Sequence, residues 1–170
     1  MIMGLKTHKA TAPAAVDLAV VSVSSSRSLK DDRAGHWIAK IAAREGHRVV
    51  YHQVVDDDAD LIRATVADLA ANSGSRAILV TGGTGLSDAD VTIEAIKPML
   101  DKELTAFGVL FAQLSFDQID SAAILSRATA GRIGRSLVFC MPGSLKACKL
   151  ACKELIFPEI GHMVRHIDKG

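Results

Sequence analysis

The sequence predicts an α/β protein with a mostly parallel sheet that carries helices on both faces. Short apolar runs, typical of buried strands, alternate with segments whose apolar residues recur at helical spacing. The 170 residues are 49% hydrophobic but only 4% aromatic, so the core has to be built from Ala, Val, Ile and Leu. Such a composition suits a layered α/β fold. A chain of this length is expected to form one domain.

The first half of the chain holds three predicted strands and two predicted helices. Residues 16–23 and the β-branched run 48–55 read as strands, and residues 78–80 form a third, buried strand. A helix begins near Asp31, because apolar residues then recur at helical spacing, and Gly46 ends it. A second helix follows the acidic run 56–58 and ends at Asn72-Ser73-Gly74.

The second half is predicted to be mainly helical, with one further strand. Apolar spacing indicates helices over residues 94–100, 107–114 and 122–125, and residues 137–141 form another buried strand. Pro142-Gly143 breaks that strand. Ser144 can then cap a helix with an apolar stripe.

Residues 1–15 are predicted to be a flexible N-terminal extension and residues 16–170 a single domain. The formal net charge of +1 gives no basic face for nucleic acid. No segment has the roughly 20 apolar residues that a membrane helix needs, and the opening apolar stretch is too short for a signal peptide. Three cysteines make no even disulfide framework, so a reducing cytoplasm is the expected location.

Polar segments directly follow four of the predicted strands, at residues 24–27, 56–58, 81–85 and 142–146. The carboxyl ends of parallel strands share one edge of an open sheet, and ligands bind outside that edge. Residues far apart in the sequence are therefore expected to line one pocket.

The glycine-rich turn Thr81-Gly82-Gly83-Thr84-Gly85 follows the third strand and precedes two carboxylates, Asp88 and Asp90. Glycine lets the backbone approach a ligand and point its N–H groups at an anion. Carboxylates would repel a bound phosphate unless a cation such as Mg²⁺ bridges them, so the pattern indicates magnesium-dependent phosphoryl or nucleotidyl chemistry. The turn is neither a P-loop nor a dinucleotide fingerprint, because Asp88 stands where the last glycine belongs and no Gly-Lys-Ser/Thr follows. The alternative is a tight turn that merely needs glycine.

Asp56 and Asp90 are the candidate acids at two strand ends. Residues 56–58 have an alternative role as a solvated turn with a helix N-cap, where negative charge favours the helix dipole. Of the three we expect only Asp56, which is closest to the strand end, to face the pocket. Asp90 has the same alternative as a helix cap, for which Thr92 competes. Two strand-end carboxylates in separate segments favour the catalytic interpretation.

Three further patterns each allow two interpretations. The segment Pro142-Gly143-Ser144-Leu145-Lys146 is either a holder for phosphate or carboxylate, or an ordinary capped helix start. Arg127 can fork onto an oxyanion or cover the surface. The spacing Cys148-x₃-Cys152 with His162-x₃-His166 imitates a zinc finger. Both thiols lie on the core stripe of an apparently uninterrupted helix, so buried structural thiols are expected instead.

A set of short motifs runs in order from about residue 16 to about residue 166. They are Val23-Ser24-x-x-Arg27, Asp32-x-x-Gly35, Thr81-Gly82-Gly83-Thr84-Gly85, Asp90-x-Thr92 with Glu94, Phe107-Gly108, Leu125-Ser126-Arg127-Ala128, and Met141-Pro142-Gly143-Ser144 with Lys146. In these motifs the chain resembles the molybdopterin adenylyltransferase family, the MoaB/Mog-like proteins of molybdenum cofactor biosynthesis. It is most similar to the short, single-domain MoaB branch.

The resemblance implies a three-layer αβα fold assembled as homo-oligomers, either trimers or hexamers. It also implies that the terminal phosphate of molybdopterin attacks the α-phosphate of Mg-ATP and releases pyrophosphate. Asp56 and Asp90 match the two catalytic acidic positions of the family and would hold Mg²⁺. No general base is needed, because a phosphate monoester is already anionic at neutral pH. The binding residues implied for molybdopterin and phosphate are Ser24, Ser26, Arg27, Asp32, Thr81, Gly82, Gly83, Thr84, Gly85, Thr92, Glu94, Ser126, Arg127, Pro142, Gly143, Ser144 and Lys146.

Four positions depart from the family pattern. Relatives usually carry Asp in place of Ser25, Arg in place of Ala89, and Glu and Arg in place of Val109 and Ala112. Losing an Arg beside a polyphosphate costs about 2 kcal/mol or more when the contact is charged and buried. The alternative function is therefore a non-catalytic molybdopterin-binding or carrier protein. A small Rossmann-type nucleotide sensor is a third option, against which the missing third glycine argues.

Overall fold

Six strands form one sheet in the computed structural model of the chain, which describes residues 15–169. In chain order they are β1 (Asp17–Val23), β2 (Arg48–Val55), β3 (Ala77–Thr81), β4 (Lys102–Glu103), β5 (Thr129–Ile133) and β6 (Ser136–Met141). Their order across the sheet is β2-β1-β3-β6-β5-β4. The first four strands in this order are parallel, and β5 and β4 pair antiparallel at one edge.

Helices cover both faces of the sheet. The α-helices are α1 (Arg33–Arg44), α2 (Ala59–Asn72), α3 (Thr92–Ile96), α4 (Thr105–Ile119), α5 (Leu145–Leu150) and α6 (Ile160–Lys169). Short 3₁₀ turns lie at Leu29–Asp31, Lys97–Met99 and Asp120–Leu125, and a π-helical segment, Ala151–Ile156, continues α5.

The core is divided into two clusters by the sheet. Alternate residues of β1 enter different clusters: Leu18 and Val20 pack with α1, α4, α5 and α6, whereas Ala19 and Val21 pack with α2 and α3. A strand buried on both faces needs a continuous apolar run, which is what β1, β3 and β6 have in the sequence. The predicted three-layer arrangement, with a mostly parallel sheet, is confirmed.

The antiparallel edge was missed from the sequence. β4 has only two residues, and β5 reads Thr-Ala-Gly-Arg-Ile, without a clear apolar alternation. Gly131 in β5 allows the two strands to pair closely, since a Cβ there would lie 2.4 Å from the backbone oxygen of Lys102. Both strands are defined by their neighbours and not by their own composition.

The helix that follows β6 is not uninterrupted as predicted, because it changes from α to π geometry after Leu150. Cys148 and Cys152 are nevertheless both fully buried in the core, as expected for structural thiols. Burial raises the pKa of the Cys148 thiol to about 11, so it stays protonated at neutral pH. Within residues 15–169 no group of three or more His, Cys, Asp or Glu side chains is arranged to hold a metal ion.

Two expectations concern the ends and the surroundings of the chain. The predicted N-terminal extension, residues 1–15, lies outside the described residues except for Ala15. Among the helices of the described part, none is both long and apolar enough to cross a membrane.

Candidate functional site

A cavity of about 250 Å³ opens at the carboxyl edge of the parallel strands. It lies at the ends of β1 and β3. After β1 the chain forms β2 on one side of that strand and then crosses over to form β3 on its other side. Such a topological switch point is where open α/β sheets bind ligands. Segments after β1, β2, β3 and β6 all reach the cavity, as predicted from the four polar strand ends. The predicted site residues that line it are Ser24, Arg27, Asp32, Thr81, Gly82, Gly83, Thr84, Gly85, Asp90, Pro142 and Gly143.

The glycine turn is held in a conformation that only glycine adopts easily. Gly82 and Gly83 have φ angles of 101° and 60°. A Cβ on Gly82 would lie 2.3 Å from the carbonyl oxygen of Val23 at the end of β1. The buried Thr92 hydroxyl donates to the Gly82 carbonyl at 2.8 Å, and the Thr92 N–H donates to the Gly83 carbonyl at 2.9 Å. Thr92 therefore shapes the turn from behind and does not face the cavity.

The structure corrects the choice among the three consecutive aspartates after β2. Asp57 lines the cavity, whereas Asp56 is exposed and does not. Asp58 is the helix cap, because its Oδ1 accepts a hydrogen bond from the Leu61 N–H at 2.8 Å. One member of the run thus serves the cap and another serves the cavity, but the cavity residue is the second and not the first.

Asp57 is fixed by a reciprocal contact with the loop after β1. Its Oδ2 accepts from the Ser25 N–H at 2.7 Å and from the Ser25 hydroxyl at 3.0 Å, and its own N–H donates to the Ser25 hydroxyl oxygen at 2.9 Å. An Asp at position 25 would set a second negative charge against Asp57. The serine instead orients a single carboxylate.

Asp90 is oriented by the loop that carries it. Its Oδ2 accepts from the Ser87 hydroxyl at 2.5 Å and from the Ser87 N–H at 3.0 Å. The Ser87 hydroxyl, helped by backbone N–H groups and by the charge of Arg127, holds the pKa of Asp90 below its usual value. Asp90 is therefore an anion at neutral pH. It does not cap α3, whose N-cap position is Val91 without a side-chain hydrogen bond.

The two carboxylates approach the same glycine turn from different loops. Asp57 Oδ1 lies 3.2 Å from where a Cβ of Gly83 would stand, and Asp90 Oδ2 lies 2.7 Å from the corresponding point at Gly85. Asp90 and the structurally assigned Asp57 therefore share one rim, as the sequence pattern predicted for an acid from each strand end. Carboxylates that border backbone N–H groups form a site for an anion together with a cation.

Asp32 is buried at the floor of the cavity and its oxygens are already in use. Oδ2 accepts from the Ser22 hydroxyl at 2.6 Å and lies 2.8 Å from His52 Nε2, while Oδ1 accepts from the Gly35 N–H at 2.9 Å. Burial alone would raise the pKa of this carboxyl, but the hydrogen bonds from His52, Ser22 and Gly35 outweigh it and lower the pKa to about 2. Asp32 thus ties β1, β2 and α1 together beneath the site.

This depressed pKa predicts acid sensitivity. The folded-state pKa of Asp32, about 2, lies below its ordinary 3.8. The ionised form therefore adds roughly 2 kcal/mol to the free energy of unfolding above about pH 4, and this is lost as the pH falls towards 2. We expect urea unfolding across this pH range to show a loss roughly 2 kcal/mol larger in the wild type than in Asp32→Asn, because other carboxyls with lowered pKa values, such as Asp17 and Asp168, contribute equally to both proteins. The same pH dependence in both proteins would contradict this.

Arg127 is a clamp on the glycine turn. Its Nη1 donates to the Gly85 carbonyl at 2.9 Å, and its Nη2 pairs with Glu94. A guanidinium used in this way fixes the turn next to Asp90 but does not project into the cavity. Arg27 is the one Lys or Arg side chain among the lining residues of the described part of the chain.

Ser144 caps α5 by accepting from the Ala147 N–H at 3.2 Å. It lies with Ser126 and Lys146 in an adjoining cavity of about 270 Å³, which shares Leu125 and Pro142 with the first. The predicted site residues that do not line the first cavity are Ser26, Asp56, Thr92, Glu94, Ser126, Arg127, Ser144 and Lys146.

Sequence reasoning overlooked part of the lining. Ser22 had a usable signal, since it is a polar residue inside the apolar run of β1. Val54 and Ala34 had none, because they are ordinary apolar residues that the fold brings to the rim, whereas Leu125 belongs to the motif Leu125-Ser126-Arg127-Ala128 but was not predicted to line the site.

The fold and the cavity together define an open-sheet α/β protein whose ligand site combines a glycine turn with two carboxylates. The chain belongs to the family described as "Probable molybdopterin binding domain", whose sequence profile matches residues 19–162.

Relatives and solved structures agree with this membership. The chain is 42% identical over 168 residues to Molybdenum cofactor biosynthesis protein B of Bacillus subtilis. The aligned region covers 98% of this chain and 99% of the relative. A crystal structure of Molybdenum cofactor biosynthesis protein B has a TM-score of 0.91 at 38% identity, covering 94% of this chain and 100% of that one. The tungsten cofactor synthesizing protein MoaB from Pyrococcus furiosus has a TM-score of 0.82 at 35% identity, covering 92% and 99%.

Proposed function

We propose that this protein acts in molybdenum cofactor biosynthesis, in the cytoplasm, as a Mg-ATP-dependent adenylyltransferase for molybdopterin. The observation that carries the proposal is the meeting of Asp57 and Asp90 at one glycine turn. Family membership and the names of the relatives support molybdopterin as the substrate. Two carboxylates beside an anion cradle support a reaction between phosphates that needs a divalent cation.

The residues present fit a magnesium ion. Carboxylate oxygens are its preferred protein ligands, and one or two carboxylates plus substrate phosphates and water normally hold it. Asp57 and Asp90 would do so here. Each commits its Oδ2 to its own loop contact, with Ser25 and Ser87 respectively, which fixes the direction of the carboxylate. When bound, the ion would neutralise charge on the phosphates.

The chain would contribute positioning. In the proposed reaction an oxygen of the molybdopterin phosphate forms a bond to the α-phosphorus of ATP, and the bond to the bridging oxygen of pyrophosphate breaks. No proton has to be removed from an anionic phosphate monoester. The N–H groups of the glycine turn would hold phosphate oxygens, Arg27 would supply positive charge, and the buried Asp32 network would keep the floor rigid.

The commitment of Arg127 favours the second candidate, a non-catalytic molybdopterin-binding or carrier protein. By the family resemblance, Arg is expected where Ala89 and Ala112 stand. Arg127 does not replace them, because its guanidinium is committed to Gly85 and Glu94. A site with little positive charge binds a polyphosphate less well in the transition state.

Pyrophosphate release separates the two functions. Purified protein is incubated with molybdopterin and Mg-ATP, and pyrophosphate is measured over time. An adenylyltransferase releases pyrophosphate only when molybdopterin, Mg²⁺ and ATP are all present, and not when an α,β-methylene analogue replaces ATP. Molybdopterin binding without pyrophosphate release would reject the enzyme and support the carrier.

Self-association belongs to the same proposal. α4 and the 3₁₀ turn after it expose Val109, Leu110, Phe116, Ile119 and Ile124, and Ile124 is 87% exposed. A cluster of exposed apolar residues of this kind marks an interaction surface. We propose that copies of the chain bury it against one another in a homo-oligomer, a trimer or a hexamer.

A further inference from the structure

A second cavity, of about 550 Å³, lies between α6 and the antiparallel edge of the sheet. It is at the opposite end of β6 from the first cavity: Leu137, at the start of the strand, lines it, whereas the segment after Met141 lines the first. No residue lines both. The second cavity is therefore separate from the candidate functional site.

The charged side chains that line this cavity are basic. Lys102 of β4 and Arg132 of β5 lie side by side, because these residues are paired in the sheet. No carboxylate is among the lining residues in the described part of the chain. The acidic neighbours of Lys102 have other partners: Asp101 accepts from the Gly134 N–H at 2.8 Å, and Glu103 pairs with Lys97 at 3.0 Å.

Arg132 has unused hydrogen-bonding capacity. Its nearest ion pair, with Asp101, is 4.0 Å long. Within residues 15–169 its Nε is also the one buried side-chain nitrogen or oxygen without a hydrogen-bond partner. Buried polar groups in folded proteins are almost always paired, and a guanidinium is suited to carboxylates and phosphates. The Nη2 of Arg132 lies 4.0 Å from the Asp101 carboxylate, beyond hydrogen-bond distance, so an anion in the cavity would supply this guanidinium with a closer acceptor.

The remaining walls are mostly apolar. Leu104, Leu137, Met163 and Ile167 form them, and the contacting imidazoles of His162 and His166, 3.0 Å apart, lie beside them. A concave site of a few hundred Å³ with apolar walls and a few convergent polar groups is the usual form of a small-molecule site. The walls suit a hydrocarbon or aromatic body, and the two cations suit a charged head.

We propose that this second cavity binds a small amphipathic anion, an apolar body that carries one carboxylate or phosphate group, with its head on Lys102 and Arg132. Such a ligand would bind independently of the candidate functional site, and the proposal holds whether or not the chain is an adenylyltransferase.

Calorimetric titration with anilinonaphthalene sulfonate, an aromatic body with one anionic group, tests this on the full chain. We expect one site per chain and at least a tenfold weaker affinity in Arg132→Gln, with partial recovery in Arg132→Lys. Arg135→Gln is the matched control, because Arg135 is a nearby cation that does not line the cavity and leaves Arg76 on their shared partner Asp168. Aliphatic carboxylates and alkyl phosphates should compete with the dye, and whichever competes better identifies the head group.

Two controls decide the location of the dye. Met163→Trp fills the cavity without removing charge and should also abolish binding. The proposal can therefore still be tested with this variant if Arg132→Gln does not fold. Phe116→Ser alters the exposed apolar surface of α4 and should leave binding unchanged. Binding that survives both cavity variants but disappears in Phe116→Ser overturns the proposal. So does a sedimentation measurement in which Met163→Trp dissociates an oligomer, because a second copy of the chain would then fill the cavity.

Discussion

Asp57→Asn is expected to lower the rate of pyrophosphate release by about 100-fold or more, whereas Asp56→Asn leaves it unchanged. Asparagine keeps the size of the side chain and one acceptor for Ser25, so the loop contact is largely preserved. What it removes is the negative charge at the rim of the cavity. Asp56 is the neighbouring residue with the same charge but without access to the cavity, which makes it a matched control.

The two variants also test whether Asp57, which the structure places at the cavity, or Asp56, which the sequence pattern favoured, is the cavity acid. If Asp56→Asn were the inactive variant, Asp57 would not be the cavity acid in solution.

Asp90→Asn should keep the fold and lose most turnover as well, with Asp88→Asn as its exposed counterpart. Equal rates for Asp90→Asn and the wild type would reject the proposed pair of acids.

Gly82→Ala is expected to lower the free energy of unfolding by about 3 kcal/mol or more. The φ angle of 101° at this position strains any residue with a side chain, and the new methyl group would meet the Val23 carbonyl at 2.3 Å. Neither backbone can move easily, because Val23 ends β1, which is paired with a strand on each side, and Gly82 donates to the Met141 carbonyl at 3.1 Å. Urea unfolding followed by circular dichroism gives the free energy.

Gly74→Ala is the control for this substitution. Gly74 also has a positive φ, 73°, but a Cβ there would have no atom within 4 Å. Only the conformational penalty remains, so a loss of about 1 kcal/mol is expected. Equal losses in the two variants would mean that the close approach of β1 to the glycine turn does not contribute to stability.

The parallel half of the sheet was predictable because its strands carry their own signal. β1, β3 and β6 are mainly apolar runs, and each is followed directly by serine, glycine or proline. β4 and β5 carry no such signal: their pairing depends on a close backbone contact at Gly131 that appears only once the chain has folded. The edge strand β2 was predicted as well, because it is long and rich in β-branched residues, so local composition fails only for the short and mixed strands β4 and β5.

The sequence predicted which loops form the site, but not always which residue of a loop faces the cavity. The motif around Asp90 pointed to an acid that the structure places at the cavity, because the motif Asp90-x-Thr92 separates it from Asp88. In Asp56-Asp57-Asp58 the three side chains are chemically identical, and the choice is made by Ser25, 32 residues away from Asp57 in the chain. The sequence likewise does not decide between the two roles of Arg127, because the Gly85 carbonyl that it contacts is also a long-range partner.

Trp37, the single tryptophan of the chain, packs against the core from α1, with the Lys149 ammonium of α5 lying 5.9 Å from the centre of its indole ring. Both helices start at the cavity, α1 at the Asp32 cap and α5 just after Pro142-Gly143. Intrinsic emission from this one indole should therefore respond when either helix shifts on ligand binding. Tryptophan fluorescence can thus report on ligand binding at this site without an added label.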